Sequence, residues 1–487
     1  MQYKVIGILA VILMIAMTVT AAAADSGNPE NRVHQHLTGR APDAGCNCDR
    51  TELCTHLPLV LIETGGQEIP GVPIVDANGQ EIGVTTTEDG EEMLLAKISI
   101  LDNPDHNHHP SDSPDLEASV LIRIRGNSSR YFDKKNYLIR FVGPDGDYQN
   151  HTVMGMDAHY EWALHGPYLD QSLIRNYMWY NIAGEIMDYA PNVRFCEVIL
   201  NGEYKGLYLM TETLTNGENC RLDISEPIEG TGKTGYLLRL DRGSTEPIKN
   251  IETFTNYAYR NLQVVDIKYP RSQSLTQEMV DEIVREFSAF EKALYSYDYD
   301  TLDYGYSHNI DVESFVDYYI INEFTTNYDA GWLSTYIYKD IGGKYRMVIW
   351  DFNSACDNYR DPVTSPQHIE LQHNVWYFML TKDEYFTDRI IRRYRALRQT
   401  FLSEEYLYRY IDDTVAYLGD AVERNFAVWG YTFDLDLRQP EERNPRSFAE
   451  AIAQLKTFIQ ERGQWLDDHI EIIRQYSHAS KNKKFNH

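Results

Sequence analysis

Positive charge is scarce in this sequence. Its 487 residues hold 45 Lys and Arg against 73 Asp and Glu, a formal net charge of −28. So acidic a chain is repelled by nucleic acid and by anionic membrane surfaces, which excludes both as general partners. Long apolar runs are scarce too. The one run, in MQYKVIGILAVILMIAMTVTAAAADS, follows a lone Lys4 and ends in small residues. At about fifteen residues it is short for a membrane span and has the layout of a signal peptide cleaved after Ala24. No stable membrane insertion is expected, and a secreted, extracellular or cell-envelope location is. Cysteine is sparse, with six in the chain. Cys46, Cys48 and Cys54 cluster near the mature N-terminus, without the paired spacing of common zinc motifs, so disulfides in or near this group are expected. A phosphate-binding loop is missing as well. EGTGKTG (229–235) ends like one, but Pro227 stands where its first glycine belongs, and a strand follows instead of a helix. It reads as a turn.

What is present is a strand-rich first half and a helix-rich second half. Residues 57–64, 93–101, 118–126, 135–141, 195–202, 206–212 and 235–241 read as strands bounded by turn formers. One helix, 169–188 with Asp170 as its N-cap, interrupts them. After residue 275, helical patterns cover 276–295, 311–324, 384–400, 404–418 and 447–474. A hairpin, 334–339 with 345–350, lies among them. The pattern predicts an α+β chain of two lobes with a cleft between. The expected organisation is a signal peptide (1–24), a cysteine-bearing lead (25–57), one large domain (58–475) and a basic, disordered tail (476–487).

Three groups of residues carry candidate chemistry. HNHHPSD (106–112) reads as a polar surface loop despite its histidines. LIRIRGNSSRYFDKKNYLIR (121–140) gathers Arg123, Arg125, Arg130, Lys134, Lys135 and Arg140 around a Gly-Asn-Ser-Ser link. Such a link offers backbone N–H groups and cations to phosphate oxygens, although a charged edge hairpin has the same pattern. Finally, Asp329 follows a helix and Asp351 ends the hairpin's apolar second strand. An acid on a loop, a short hairpin and a second acid at its end recur in phosphoryl-transfer enzymes, and also in ordinary turns.

RGNSSR, KKNYLIRF, LDQSLIRN, NGEYKGLYLMTE, GYLLRLD, NYDAGWLSTYIYKD and IWDFNSACDN occur here in one order. In that order they resemble the spore coat protein H (CotH) family, from about Leu57 to Ile473. The resemblance implies a divergent protein-kinase-like, two-lobed fold without a Gly-rich loop. It implies transfer of the γ-phosphoryl group of ATP, with Mg²⁺ or Mn²⁺, to Ser or Thr hydroxyls of protein substrates. It makes Asp329 the catalytic acid and Asp351 a metal ligand, with Asn353 and Ser334 as further oxygen donors to the metal. Arg125, Lys134, Lys135 and Arg175 are implied on the nucleotide's phosphates, and Glu212 near an inter-lobe hinge facing adenine. The chain departs from many relatives in carrying Asn353 where they have a second acid, and Arg239 where they have Glu. The other functions compatible with the same fold are a non-catalytic surface adhesion, coat or scaffold protein, and a glycan or small-molecule phosphotransferase.

Overall fold

The computed structural model describes residues 46, 48, 51–217, 221–255, 264–361 and 365–481. The apolar first 24 residues, Cys220 and the end of the basic tail lie outside them.

Alternation of apolar and polar residues builds the first half into a closed seven-stranded barrel. Around it run β1 (Leu59–Glu63), β10 (Val193–Leu200), β11 (Glu203–Glu212), β9 (Glu161–His165), β6 (Asn136–Val142), β5 (Leu116–Arg125) and β4 (Leu94–Leu101). Every neighbouring pair is antiparallel except β1 with β10, which run parallel and close the ring. In β5, Val120, Ile122 and Ile124 point into the barrel with Ile139 and Trp162, while Arg123 and Arg125 alternate outward. Two small hairpins decorate the barrel: β2 (Pro73–Val75) with β3 (Glu81–Val84), and β7 (His151–Val153) with β8 (Met156–His159).

Among the described residues, eight named helices and a five-stranded sheet make up the remainder. The helices are α1 (Arg175–Ile186), α2 (Gln277–Tyr295), α3 (Val312–Thr325), α4 (Tyr377–Leu380), α5 (Glu384–Leu397), α6 (Glu404–Leu418), α7 (Ala421–Trp429) and α8 (Phe448–His469). The sheet runs β13 (Asn250–Ile251), β14 (Val264–Tyr269), β12 (Tyr236–Asp241), β15 (Thr335–Lys339), β16 (Arg346–Val348). Leu238, Leu240 and Ile337 face the large core that α1, α2 and α3 share; Leu237, Tyr336 and Tyr338 pack on the other face. No helix of the described residues is long and apolar enough to cross a membrane.

The α+β class is as expected, and three details differ. The hairpin does not stand alone among helices, because β15 pairs with β12 from the strand-rich half. The expected helix over 169–188 begins only at Arg175: Leu173, at φ 66, holds a left-handed backbone that no helix can pass through. Asp170 still caps it from a distance, accepting the N–H groups of Ser172 at 3.1 Å and Arg175 at 2.9 Å. The basic tail is docked as far as Lys481. His478 exchanges backbone hydrogen bonds with Lys382 and Glu384, and Lys481 N–H reaches Asp300.

The two halves are clamped by buried polar contacts. Gly206 in β11 (φ 96) gives way to α7; a Cβ there would stand 2.6 Å from Asn425 Oδ1. In the helical half, Arg462 of α8 is fully buried against Glu323 of α3 and also donates to the carbonyls of Glu323, Pro366 and His368. Glu323 accepts the N–H groups of Glu370 and Leu371 in turn. Removing one partner of such a pair strands a buried charge. Arg462→Ala is expected to lower the urea-measured unfolding free energy by roughly 3–5 kcal/mol. A loss below about 1 kcal/mol would show that water or another cation replaces the guanidinium.

Candidate active site

Three acids gather where three elements end. Asp241 closes β12, Asp329 lies in the loop after α3, and Asp351 follows β16 by three residues. The α3 helix stops at Thr326, which adopts φ 43 and returns its N–H to Asn322 and Glu323. Asn327 then donates to Asn322 Oδ1 at 3.0 Å and to the Asp351 carbonyl at 3.1 Å, so the segments carrying Asp329 and Asp351 are tied together. Asp351 itself sits at φ 62, a left-handed conformation that Asp tolerates better than most residues, and it turns the chain sharply out of the strand. Its N–H donates to Tyr180 Oη at 3.1 Å.

A row of amides aims the Asp351 carboxylate. Asn176 in α1 accepts the Phe352 N–H at 2.7 Å and donates to both His165 Nε2 at 3.2 Å and Asn353 Oδ1 at 3.1 Å. Asn353 Nδ2 then donates to Asp351 Oδ1 at 2.7 Å. Burial, with Arg125 nearby, holds the His165 imidazole down at about 4, so it is a neutral acceptor at physiological pH. Asn353 therefore presents its nitrogen to Asp351, and Asn176 occupies its carbonyl oxygen.

The electrostatics separate the three acids. Asp241 is held by Arg239 at 3.5 Å and by the Arg242 N–H at 2.8 Å. Arg239 also makes a two-pronged pair with Asp266. Asp351 is pushed up by burial and by Asp241, against the pull of Asn353 and Arg125. The Asp329 carboxyl is pushed up to about 7 by burial first, then by the charges of Asp351 and Asp241, with Arg242 opposing. The hydrogen bonds at Asp329 are to its backbone carbonyl, from Trp332 and Leu333, and none engages its carboxylate among the described residues. A half-buried acid with unengaged oxygens and a pKa near neutrality has the character of a general base.

The barrel brings a cation to these acids. Arg125 stacks over Trp350, 5.5 Å from the ring centroid, next to Asp351. The Gly126–Ser129 link reaches across, and Asn127, with its amide turned to suit its neighbours, accepts from Arg242 Nη1 at 2.6 Å. The other sequence candidates are held elsewhere. Lys134 is buried, bonded to Asn425 Oδ1 at 2.7 Å between Tyr208 and Trp429, and burial pulls its ammonium well below the usual range. Lys135 donates to the Arg130 carbonyl at 2.9 Å. Arg175 pairs with Asp170 at 2.6 Å and grips the carbonyls of Ala355 and Cys356, bracing the loop behind Asp351. Glu212 ends β11, where the chain leaves the barrel, and accepts twice from Asn192. Ser334 (φ 47) immediately precedes β15, whose first residue, Thr335, pairs with Leu240, the neighbour of Asp241. Asn176 and Asp241 had no signal of their own beyond lying inside the quoted motifs, and His165 lies outside all of them.

The same stretch of chain that carries these residues, 122–466, matches the family described as CotH kinase protein. The chain belongs to the CotH kinase family. A CotH relative, the inner spore coat protein H of Bacillus subtilis (strain 168), is 20% identical over 359 residues, covering 73% of this chain and 88% of the relative. Family membership implies a kinase. The matched stretch begins inside β5, yet the CotH barrel here closes only through β1 and β4, which precede it.

A divalent cation fits the acids in one manner. They are not drawn together as a ligand set, because the group of ligand atoms lying within 4.8 Å of one another, among the described residues, is elsewhere. A cation held by one or two of these carboxylates would complete its shell from phosphate and water oxygens, as Mg²⁺ does in phosphoryl-transfer sites.

The raised Asp329 has a consequence for stability. Both states are protonated below about pH 4; between there and about pH 7 only the unfolded chain ionises, so this group's contribution falls as pH rises. Asp329→Asn should therefore unfold at the same urea concentration as the parent at pH 4. In chelator-containing buffer at pH 8 it should be more stable, by roughly 1–3 kcal/mol. Equal stability at both pH values would mean that the acid is not perturbed.

Proposed function

We propose that this protein is a secreted or cell-envelope protein kinase that transfers the γ-phosphoryl group of ATP to Ser or Thr hydroxyls of protein substrates. The observation that carries the reading is the Asp329 carboxylate: unengaged, near-neutral in pKa, and under the charge of Asp351. In this reading the barrel is the N-terminal lobe and the helical half the C-terminal lobe of a divergent kinase-like fold. The apolar run after Lys4 supports export.

Asp329 orients the acceptor hydroxyl and takes its proton. Asp351, aimed by Asn353 and Asn176, holds Mg²⁺ or Mn²⁺, with Ser334, the residue before β15, as a further oxygen donor. When bound, the cation supplies charge neutralisation of the phosphate oxygens. Arg125 is the residue that meets those oxygens directly. Lys134, Lys135, Arg175 and Glu212 act from behind, by fixing the β5–β6 link, the loop after Asp351 and the exit from the barrel. Asn353 in place of a second acid keeps the cleft one charge less negative, and its amide stabilises the ionised form of Asp351.

The test is transfer of labelled phosphate from ATP to the protein itself and to a Ser-rich peptide, with each metal. Asp351→Asn should abolish labelling and any metal-dependent thermal shift. Asp329→Asn should cut turnover by roughly 10²–10⁴-fold while leaving the thermal shift with ATP and metal intact. Labelling by the parent should rise with pH through about 7, as Asp329 ionises. If the parent neither labels nor shifts with ATP, the kinase reading fails. The chain is then better read as a non-catalytic coat or surface protein, a role that the name of the Bacillus subtilis relative favours.

A further inference from the structure

A second cluster lies away from the acids and outside the stretch matched to the family. Cys46, Cys48, Cys54 and His109 each direct one ligand atom to a common point, all four within 4.8 Å of one another. No disulfide joins Cys46, Cys48 or Cys54 in the described structure, against the expectation from their spacing. His109 comes from the loop that the sequence presents as a plain polar surface.

We propose that these four side chains hold one structural zinc ion. Ordinary Zn–S and Zn–N bonds at a tetrahedral angle separate two ligand sulfurs by about 3.8 Å, and a sulfur from a nitrogen by about 3.5 Å. Cys46 Sγ and His109 Nε2 are 3.6 Å apart. The groups that orient zinc ligands are also in place. Asp112 Oδ2 accepts from His109 Nδ1 at 3.0 Å, which leaves Nε2 as the coordinating nitrogen, and it takes the His109 N–H at 2.8 Å. Asn107 Nδ2 donates to Cys54 Sγ at 3.2 Å, a bond suited to a thiolate. Three sulfurs and one imidazole select zinc over the harder cations. Four protein ligands leave no open position, so the ion is structural and not catalytic. Binding converts three thiols to thiolates and releases their protons. The one-residue gap between Cys46 and Cys48 is tighter than the usual two to four, which explains why spacing alone did not reveal the site.

The site has a mechanical purpose. It fastens the lead to the loop between β4 and β5, beside the paired backbones of Thr55 and His108 and the buried His108 ring, which bonds the Leu57 carbonyl at 2.8 Å. That fixes the entry to β1, the strand whose parallel pairing closes the barrel.

The experiment is native mass spectrometry of the full chain, produced with zinc in the medium and purified without chelator, followed by thiol alkylation before and after chelation. One zinc per chain, with Cys46, Cys48 and Cys54 alkylated only once the chelator has removed it, is the expected result. Cobalt(II) alone, added to the stripped protein, should give the visible absorption of a tetrahedral thiolate site. Asp112→Asn touches only the outer partner of His109 and should weaken zinc 10–100-fold in competition with a chelator, with the fold retained. A disulfide among the three cysteines, metal-free protein whose thiols react at once, or unchanged competition in both Asp112→Asn and His109→Ala would each overturn the proposal. None of these outcomes depends on kinase activity.

Discussion

The buried ion pair between Glu323 and Arg462 is the constraint on which the group of acids depends. Glu323 lies in the last turn of α3, and its carboxylate is shared among a guanidinium and two backbone N–H groups. That pins the end of the helix against α8 and the 366–371 segment. Everything downstream inherits the fix: the left-handed Thr326, the Asn327 bridge to Asp351, and the loop that carries Asp329. An ion pair so deep gains little net stability over an apolar pair of the same size. What it supplies here is a single position for the end of a helix, from which two acids take their separation.

Around those acids the protein distributes cations unevenly. Arg239 is committed to Asp266 and Asp241, Arg242 to Asp241 and Asn127, and Arg125 to the face of Trp350. Among the described residues, neither Asp329 nor Asp351 has a guanidinium bonded to its carboxylate. Burial and the neighbouring acids thus push up both carboxyls, Asp329 to about 7, while a neutral amide chain and the nearby Arg125 restrain the rise at Asp351. Neutral donors orient a carboxylate without cancelling it, and so preserve its attraction for a cation.

Much of this was legible in the sequence, for identifiable reasons. An apolar strand or helix running into Asp329 or Asp351 is a local pattern, and local patterns survive folding. The strands of the barrel alternate and could be read one by one. Barrel closure could not, because it rests on β1 meeting β10, two strands far apart in the chain. Asp241 was read only as the end of a strand, since its relation to Asp351 passes through β15. Lys134 and Lys135 read alike, as phosphate-contacting cations or the charges of an edge hairpin, yet one is enclosed by Tyr208 and Trp429. The helix over 169–188 was drawn too long because a left-handed leucine leaves no trace in periodicity.

The parallel seam of the barrel has a consequence in time. Five of its seven strands are made before β10, so during synthesis they form a sheet with β1 along one open side. An unpaired strand of this kind presents its backbone groups to any other chain. The interval ends only when β10 emerges, after the whole of α1 and the loops on either side have been made. Nascent chains stalled in that window would pair with one another along β1, and a chaperone that guards this protein has its task defined by that edge.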